Sequence, residues 1–348
     1  MSKRFQSVMR DISRIVKAVY HARSAVIVPG SGTFGMEAVA RQFATDKRCL
    51  IIRNGWFSFR WTQILEMGRI ATETRVLRAR RTGEGSEAPF APVPIAEAVA
   101  AIRDFKPDVV FAPHVETSAG MMLPDDYLAT LAAAVHETGG LFVLDCIASG
   151  TVWVDMDATG VDVLVSAPQK GWSGPPCCAI VALGEHARAR IDETTSSSFS
   201  CDLKKWLQIM EAYESGAFAY HATMPTDALA VVRDVMLETE KLGFGMIAER
   251  QKSLGSQVRD LLSTRGYRSV AAPGFQAPGV VVSYTTNPAV QSGKAFADAG
   301  LQIAAGVPLQ VDEGPDFRTF RIGLFGLDKL LNIPRTLRSL TVALDSIR

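Results

Sequence analysis

One lysine stands in a turn between two apolar segments, where its amine could act as a nucleophile. Buried strands are predicted over 161–165 and 177–183, and Lys170 lies between them among glycines and prolines. Burial would lower the pKa of the amine and allow a Schiff base to an aldehyde cofactor. A surface lysine in an ordinary turn explains this stretch equally well.

Two further charged side chains could serve the same site. Asp145 follows the apolar strand predicted over 141–144, and a buried carboxylate needs a partner. The protonated ring nitrogen of pyridoxal phosphate is one such partner, and a helix cap or a structural ion pair is another. Arg321 lies on a predicted strand, opposite an apolar face. It could bind a substrate carboxylate through two hydrogen bonds, or it could simply face solvent.

A small-residue loop near the start of the chain is typical of an anion site. The segment Ser31, Gly32, Thr33 follows a predicted strand over 24–29 and precedes a helix predicted from Met36. Backbone N–H groups at such a helix start can bind a phosphate, although many similar loops are only tight turns. The loop matches neither the P-loop nor the dinucleotide-binding pattern.

The elements that must position these residues alternate between strands and helices, which predicts an α/β fold with a mostly parallel sheet. Ligands of such sheets bind beyond the carboxyl ends of the strands, where the residues singled out above are predicted to lie. One long helix is predicted over 226–265, and a polar loop over 78–94. We expect a large domain over residues 1–240 and a smaller C-terminal α/β domain over 241–348.

Bulk composition excludes several classes of protein. The 348 residues include 37 lysines and arginines and 36 acidic residues, so no nucleic-acid or charged-membrane partner is expected. The five cysteines form no CxxC pair and no metal-ligand spacing, so neither disulfides nor a metal site is predicted. No apolar segment reaches the length of about 18 residues that a membrane span needs. A cytoplasmic protein is predicted.

The motifs together resemble those of the class V, fold-type I aminotransferases, which use pyridoxal phosphate. The pattern is most similar to alanine–glyoxylate and serine–pyruvate aminotransferases. The matching motifs occur in family order over nearly the whole chain: Ser31-Gly32-Thr33 with Met36-Glu37-Ala38, Asn54-Gly55, His114-x-Glu116-Thr117-Ser118-x-Gly120, Asp145-x-x-Ala148-Ser149, Ser166-x-x-Gln169-Lys170 with Pro175-Pro176, Tyr220-His221-x-Thr223-x-Pro225 and Arg321-Ile322-Gly323-Leu324-x-Gly326.

The resemblance implies a role for each matching residue. Lys170 would form the aldimine with pyridoxal phosphate and move the proton, while Asp145 would hold the pyridinium. Phe57 and Ile147 would contact the cofactor ring, and Thr117 would bind its phenolic oxygen. The phosphate would be bound by Ser31, Gly32, Thr33 and Gln169. Arg321 would bind the carboxylate of the substrate. Tyr220 and Thr223 would complete the phosphate site of a neighbouring subunit, which implies a homodimer with shared sites.

The implied reaction moves an amino group from a small donor, such as alanine or serine, to a 2-oxo acid such as glyoxylate or pyruvate. Donors such as 2-aminoethylphosphonate or ureidoglycine are alternatives, because related enzymes use them. A class V lyase or desulfurase is a further alternative, but it needs a cysteine on a C-terminal loop and no cysteine follows Cys201. A scaffold without cofactor conflicts with the Lys170 and Asp145 pair.

Two departures from the family pattern bear on substrate choice. The family's PGP-containing entrance segment is missing, so the start is truncated or the entrance is rebuilt. Phe57 also stands where some members have tryptophan, which changes the ring contact and leaves the chemistry intact.

Overall fold

The computed structural model describes residues 2–347, which form a large α/β layer followed by a smaller one. The strands of the large layer are β1 (Ser24–Pro29), β2 (Arg48–Arg53), β3 (Glu73–Arg78), β4 (Arg80–Arg81), β5 (Phe90–Ala91), β6 (Val109–Pro113), β7 (Val115–Glu116), β8 (Met121–Met122), β9 (Leu141–Asp145), β10 (Val163–Ser166) and β11 (Cys178–Leu183). Those of the smaller layer are β12 (Val280–Tyr284), β13 (Ala304–Ala305) and β14 (Thr319–Gly323).

Helices connect and cover these strands. They are α1 (Lys3–Tyr20), α2 (Gly32–Phe43), α3 (Trp56–Met67), α4 (Ile95–Phe105), α5 (Asp125–Glu137), α6 (Met156–Thr159), α7 (Glu185–Arg190), a 3₁₀ turn (Ile191–Glu193), α8 (Leu203–Glu214), α9 (Thr226–Leu242), α10 (Phe244–Ser263), α11 (Pro288–Gln291), α12 (Lys294–Asp298), α13 (Leu327–Leu330) and α14 (Ile333–Ser346).

The main sheet has the strand order β1-β11-β10-β9-β6-β2-β3. Every neighbouring pair is parallel except those that include β11, which runs antiparallel to both β1 and β10. The central strands are buried throughout, which explains why they appear as continuous apolar segments in the sequence. The mostly parallel α/β fold predicted above is confirmed.

Strand register brings the candidate residues to one edge of this sheet. Val165 of β10 pairs with Asp145 of β9, so the chain leaves both strands at the same level. Asp145 therefore ends its strand beside the turn that carries Lys170. Parallel neighbours make this juxtaposition unavoidable, because their carboxyl ends share an edge.

Three local predictions differ from the structure. The single helix expected over 226–265 is divided into α9 and α10 at Gly243, whose φ of 93° lies in the left-handed region that favours glycine. The segment over 78–94 contains the short antiparallel pair of β4 and β5 instead of a plain loop. Helix α2 also begins at Gly32, before the predicted start, and this places the small-residue loop at a helix N-terminus.

The C-terminal part has its own antiparallel sheet, in the order β12-β14-β13, and its own apolar core. Phe320 of β14 is fully buried there against the rings of Tyr267 and Phe296. The division of the chain into domains at residue 240 stays a prediction. None of the helices over residues 2–347 is long and apolar enough to cross a membrane.

Candidate active site

The turn that carries Lys170 is closed and tied to both parts of the protein. The amide of Gly174 donates to the carbonyl of Pro168 at 2.9 Å, and Trp172 is buried with its ring 4.6 Å from that of Trp153. The hydroxyl of Ser173 accepts a hydrogen bond from the amide of Leu327 at 3.0 Å. The turn that presents the lysine is thus in direct contact with the C-terminal part, through Ser173.

The environment of Lys170 favours a neutral amine. Burial lowers the pKa of this lysine, and the positive charge of Arg321 lowers it further. Its Nζ lies 5.3 Å from the centroid of the Phe325 ring. A lysine with a depressed pKa keeps more of its amine unprotonated, which is the form that attacks a carbonyl carbon.

Asp145 is a buried carboxyl whose loss of hydration is only partly offset by the groups around it. Burial raises its pKa to about 7, and the negative charge of Glu116 adds to this rise. The rise is opposed by a hydrogen bond from the amide of Ile147, at 2.9 Å, and by the positive charge of Arg60. A cation brought to this carboxyl would stabilise its ionised form.

Most of the predicted cofactor residues line one cavity of about 220 Å³. The predicted residues in its wall are Ser31, Gly32, Thr33, Phe57, Thr117, Asp145, Ile147, Gln169 and Lys170. Arg60, Val115 and Ala148 complete the lining. Residues separated by up to 139 positions in the chain therefore meet in a single pocket at the carboxyl edge of the sheet.

One end of this cavity is the N-terminus of α2. Ser31 is the N-cap in an extended conformation, and its hydroxyl caps none of the amides of this described helix. A Cβ added at Gly32 would lie 2.5 Å from Cδ1 of Ile147, so the cavity is narrow here. The side-chain oxygen of Gln169 is buried without a hydrogen-bond partner among residues 2–347. The backbone N–H groups of this helix start are suited to an anion, whereas the oxygen of Gln169 can only accept a hydrogen bond.

Phe57 is held in place by a buried carboxylate that sequence reasoning left without a role. Glu116 is fully buried, and one of its oxygens accepts from the amide of Phe57 at 3.2 Å. The other oxygen accepts from the amide and the hydroxyl of Ser58 at 2.9 and 2.8 Å. This carboxylate therefore caps α3 and fixes the aromatic side chain that lines the cavity.

Arg60 is a cavity residue that the sequence analysis missed. Its guanidinium lies 5.4 Å from the ring centroid of Phe57, and its Nη1 donates to the hydroxyl of Thr33 at 3.1 Å. Helical spacing could have found it, because residues three apart on a helix share a face and Phe57 was already singled out.

Arg321 lies next to the cavity instead of in its wall. Its Nε donates to the carbonyl of Ala305 at 2.8 Å, and its Cζ lies 5.7 Å from the centroid of Phe57. Burial lowers the pKa of the guanidinium, which nevertheless stays a cation at any ordinary pH. One edge of the guanidinium is thus anchored to the backbone within the small sheet.

Tyr220 and Thr223 are not brought to the cavity of their own chain. Both side chains are exposed in the loop between α8 and α9, with Tyr220 74% accessible. Phe199 and Phe218 are exposed large hydrophobic residues in neighbouring stretches of sequence. Their assignment to a neighbouring subunit stays a prediction.

The fold is that of solved aminotransferases. A solved alanine–glyoxylate aminotransferase from Nostoc sp. superposes with a TM-score of 0.81 at 20% identity, covering 99% of this chain and 88% of that one. The expected fold-type I architecture is thereby confirmed.

Sequence comparison identifies the family. The model of the Aminotransferase class-V family matches residues 1–306, so the chain belongs to that family. Alanine–glyoxylate aminotransferase 1 of Saccharomyces cerevisiae is 25% identical over 345 residues, which is 93% of this chain and 83% of the relative. A 2-aminoethylphosphonate–pyruvate transaminase of Paraburkholderia phymatum is 29% identical over 331 residues, covering 92% and 82%.

The predicted class of enzyme, an aminotransferase, is therefore confirmed. Family membership also implies pyridoxal phosphate as the cofactor.

Proposed function

We propose that the chain is a transaminase that binds pyridoxal phosphate in the cavity beside Lys170 and moves an amino group from a small α-amino acid to a 2-oxo acid. A half-buried lysine, a buried carboxyl and a helix N-terminus meet in one cavity of about 220 Å³, and this meeting is the main support for the proposal. Each of these three features matches one part of the cofactor.

The residues present fit the cofactor. The N-terminus of α2 offers backbone N–H groups to a phosphate, and Gln169, which lines the same cavity, would donate to it through its side-chain nitrogen. The cations in the cavity wall are Arg60 and Lys170, yet burial still raises the pKa of Asp145. A protonated ring nitrogen would give this carboxyl a further cation to pair with. Phe57 and Ile147 give apolar contact to a flat ring, and Thr117 provides a hydroxyl.

When bound, pyridoxal phosphate supplies an aldehyde carbon and a ring that accepts electrons as the Cα–H bond of the donor breaks. Lys170 would hold the cofactor through its amine at that carbon, and its Nζ would then be the group that moves the proton at Cα of the donor. Asp145 would pair, as a carboxylate, with the protonated ring nitrogen. The lowered pKa of Lys170 serves both steps, because each requires the unprotonated amine.

The choice of donor rests on Arg321. Its guanidinium lies beside Phe57 and close enough to Lys170 to lower the pKa of the lysine, so an anionic group bound there would bring the donor amine near Nζ. An α-carboxylate suits this position in alanine or serine, and glyoxylate or pyruvate would be the acceptor. The 2-aminoethylphosphonate transaminase among the relatives makes a phosphonate donor the second candidate.

A desulfurase role has less support. Such chemistry needs an accessible cysteine thiol as nucleophile, and Cys49, Cys146, Cys177, Cys178 and Cys201 are all buried. Burial also raises the pKa of Cys49 to about 12 and that of Cys201 above its ordinary value.

We further propose a homodimer in which Tyr220 and Thr223 complete the phosphate site of the partner. Their exposure on a loop outside the cavity of their own chain supports this assignment. The cavity of about 220 Å³ is also smaller than the roughly 300 to 1,000 Å³ that is usual for ligand sites, as expected if a second chain forms part of the wall.

The experiment is to load the chain with pyridoxal phosphate, reduce it with borohydride and map the modified peptide by mass spectrometry. We expect one adduct, on Lys170, and none at that peptide in Lys170→Ala. Lys47→Ala, which truncates an exposed lysine, is the control and should label like the wild type. An adduct on another lysine in the wild type would refute the assignment of Lys170.

A panel of amino donors then tests the reaction itself. Formation of a 2-oxo acid from alanine or serine, equal in amount to the new amino acid, supports the proposal. Release of sulfide or ammonia without amino transfer would identify a lyase instead. Turnover of 2-aminoethylphosphonate alone would favour the second candidate donor.

A further inference from the structure

Two histidines and one aspartate meet on the large sheet at the edge remote from Lys170. Nε2 of His136 lies 2.9 Å from one carboxylate oxygen of Asp162, and Nδ1 of His186 lies 3.4 Å from the other. All three side chains offer ligand atoms within 4.8 Å of one another. Asp162 precedes β10 and Lys170 follows it, so this cluster and the candidate active site lie at opposite ends of the same strand.

These separations match those of donor atoms around a small metal ion. A tetrahedral ion with bonds of about 2.0 to 2.1 Å holds its donor atoms about 3.3 Å apart. The two nitrogen–oxygen distances in the cluster, 2.9 and 3.4 Å, bracket that value. An ion could therefore enter with small rotations of the side chains.

The backbone around the cluster positions the carboxylate. The side chain of Asp162 is only 5% exposed, and its Oδ2 accepts a hydrogen bond from the amide of Phe142 at 2.7 Å. The amide of Asp162 donates to the carbonyl of Phe142 at 3.0 Å, and its carbonyl accepts from Gly184 at 2.8 Å. This support fixes the orientation of the carboxylate, as outer hydrogen bonds do in metal sites.

The two imidazoles come from separate helices and remain open to solvent. His136 lies in the last turn of α5 and His186 in α7, with side chains 37% and 46% exposed. Arg190 of α7 donates to the carbonyl of Gly139 at 3.4 Å, which links α7 to the turn after α5. An ion can thus reach the cluster from solvent while the elements around it stay in place.

We propose that His136, Asp162 and His186 bind a divalent transition-metal ion such as Zn²⁺, with water at the remaining position. Imidazole nitrogen and carboxylate oxygen are ligands that such ions accept. The bound ion joins α5, α7 and the segment before β10, and it stabilises the folded chain because an unfolded chain holds no such arrangement. The proposal is independent of the transaminase reaction.

No metal was predicted from the sequence, because the sequence contains no short metal-ligand spacing. His136 and Asp162 are 26 residues apart, and three separate elements supply the three side chains. Only the fold brings them together.

The test uses the cofactor-loaded full chain without an affinity tag, titrated with Zn²⁺ in a calorimeter. We compare the wild type with His136→Ala and His186→Ala, two truncations of partly exposed side chains that should leave the fold intact. His21→Ala is the matched control, because His21 is also a partly exposed histidine paired with an aspartate, at 2.8 Å from Asp155.

We expect one strong site in the wild type and in His21→Ala, and an affinity weakened by more than about tenfold in each of the two cluster variants. Co²⁺ should give the visible absorption typical of a four-coordinate ion in the wild type and in His21→Ala, and this absorption should be lost in His136→Ala and His186→Ala. Zn²⁺ should also raise the melting temperature of the first pair only. Equal Zn²⁺ affinity in all four proteins, or no strong site in the wild type, would overturn the proposal.

Discussion

The guanidinium of Arg321 lies over the ring of Phe57, with Cζ 5.7 Å from the ring centroid. Arg321 belongs to β14 of the small sheet, and Phe57 belongs to α3 beside the large one. The contact joins the residue proposed to bind the donor's anionic group to the residue proposed to face the cofactor ring. Donor selection and cofactor binding therefore depend on how the two sheets are placed.

Arg321→Ala should weaken donors that carry a carboxylate. Charge-assisted hydrogen bonds of about 1.5 to 3 kcal/mol would be lost, which corresponds to a rise in KM of roughly ten- to a hundredfold. Steady-state kinetics with alanine and serine measure the effect. Arg318→Ala, which removes an exposed arginine three residues earlier, should leave KM unchanged. An unaltered KM in Arg321→Ala would assign the carboxylate to another group.

Asp145 predicts a pH dependence of stability in the cofactor-free protein. Burial raises its pKa from 3.8 to about 7, so the folded chain keeps a proton that the unfolded chain releases in this window. Stability from this group therefore falls as pH rises through the window. His114, whose pKa burial lowers to about 4, contributes the opposite slope, so a variant is needed to separate the two.

Asp145→Asn removes the first contribution and leaves that of His114. Urea unfolding at several pH values should show that the variant gains stability relative to the wild type, on the order of a few kcal/mol, as pH rises across the window. Asp157→Asn, at an exposed position, is the control and should follow the wild type. If Asp145→Asn follows the wild type as well, the carboxyl is ionised in the folded chain at low pH.

Glu116→Gln should destabilise the start of α3. Glutamine has one acceptor oxygen where glutamate has two, so it can accept the hydrogen bonds from Ser58 or those from Phe57 and Ser118, but not both sets. Its NH₂ group would face the remaining donors, and buried donors left unpaired cost about 1 to 3 kcal/mol each. We expect a fall of on the order of 2 to 4 kcal/mol in the free energy of unfolding, measured in urea. Glu66→Gln, an exposed position on the same helix, should stay within about 0.5 kcal/mol.

A role in positioning Phe57 makes a second prediction for Glu116→Gln. Cofactor affinity of the folded variant, measured without denaturant, should fall, while that of Glu66→Gln should not change. A variant that is less stable but binds pyridoxal phosphate normally would limit Glu116 to a structural role.

Shared sites predict recovery of activity in mixed dimers. A chain with Lys170→Ala and a chain with Tyr220→Ala plus Thr223→Ala should each be nearly inactive alone. If Tyr220 and Thr223 act across the interface, a mixed dimer contains one site with every residue intact. Co-expression with two different tags, tandem purification and an activity assay test this, and a mixture of two wild-type chains carrying the same tags gives the upper limit. Mixed dimers without activity would place Tyr220 and Thr223 in their own subunit's site.

Local sequence patterns were enough to predict the alternation of strands and helices and the chemistry of the strand ends. Lys170, Asp145 and the segment around Ser31 could be identified because each follows an apolar strand, and parallel strands deliver their ends to one edge. Family motifs added the remaining predicted residues. The break at Gly243 was missed, since the apolar spacing continues across it and only the positive φ ends the helix.

The contacts between side chains of separate elements become known only from the tertiary structure. Arg60 reaches Thr33, Glu116 caps α3, and Arg321 meets Phe57 because separate elements pack side by side. The same holds for His136, Asp162 and His186, whose positions in the sequence carry no ligand spacing. A local pattern reports which face of its own element a residue occupies, whereas the partner of that face is set by packing over the whole chain.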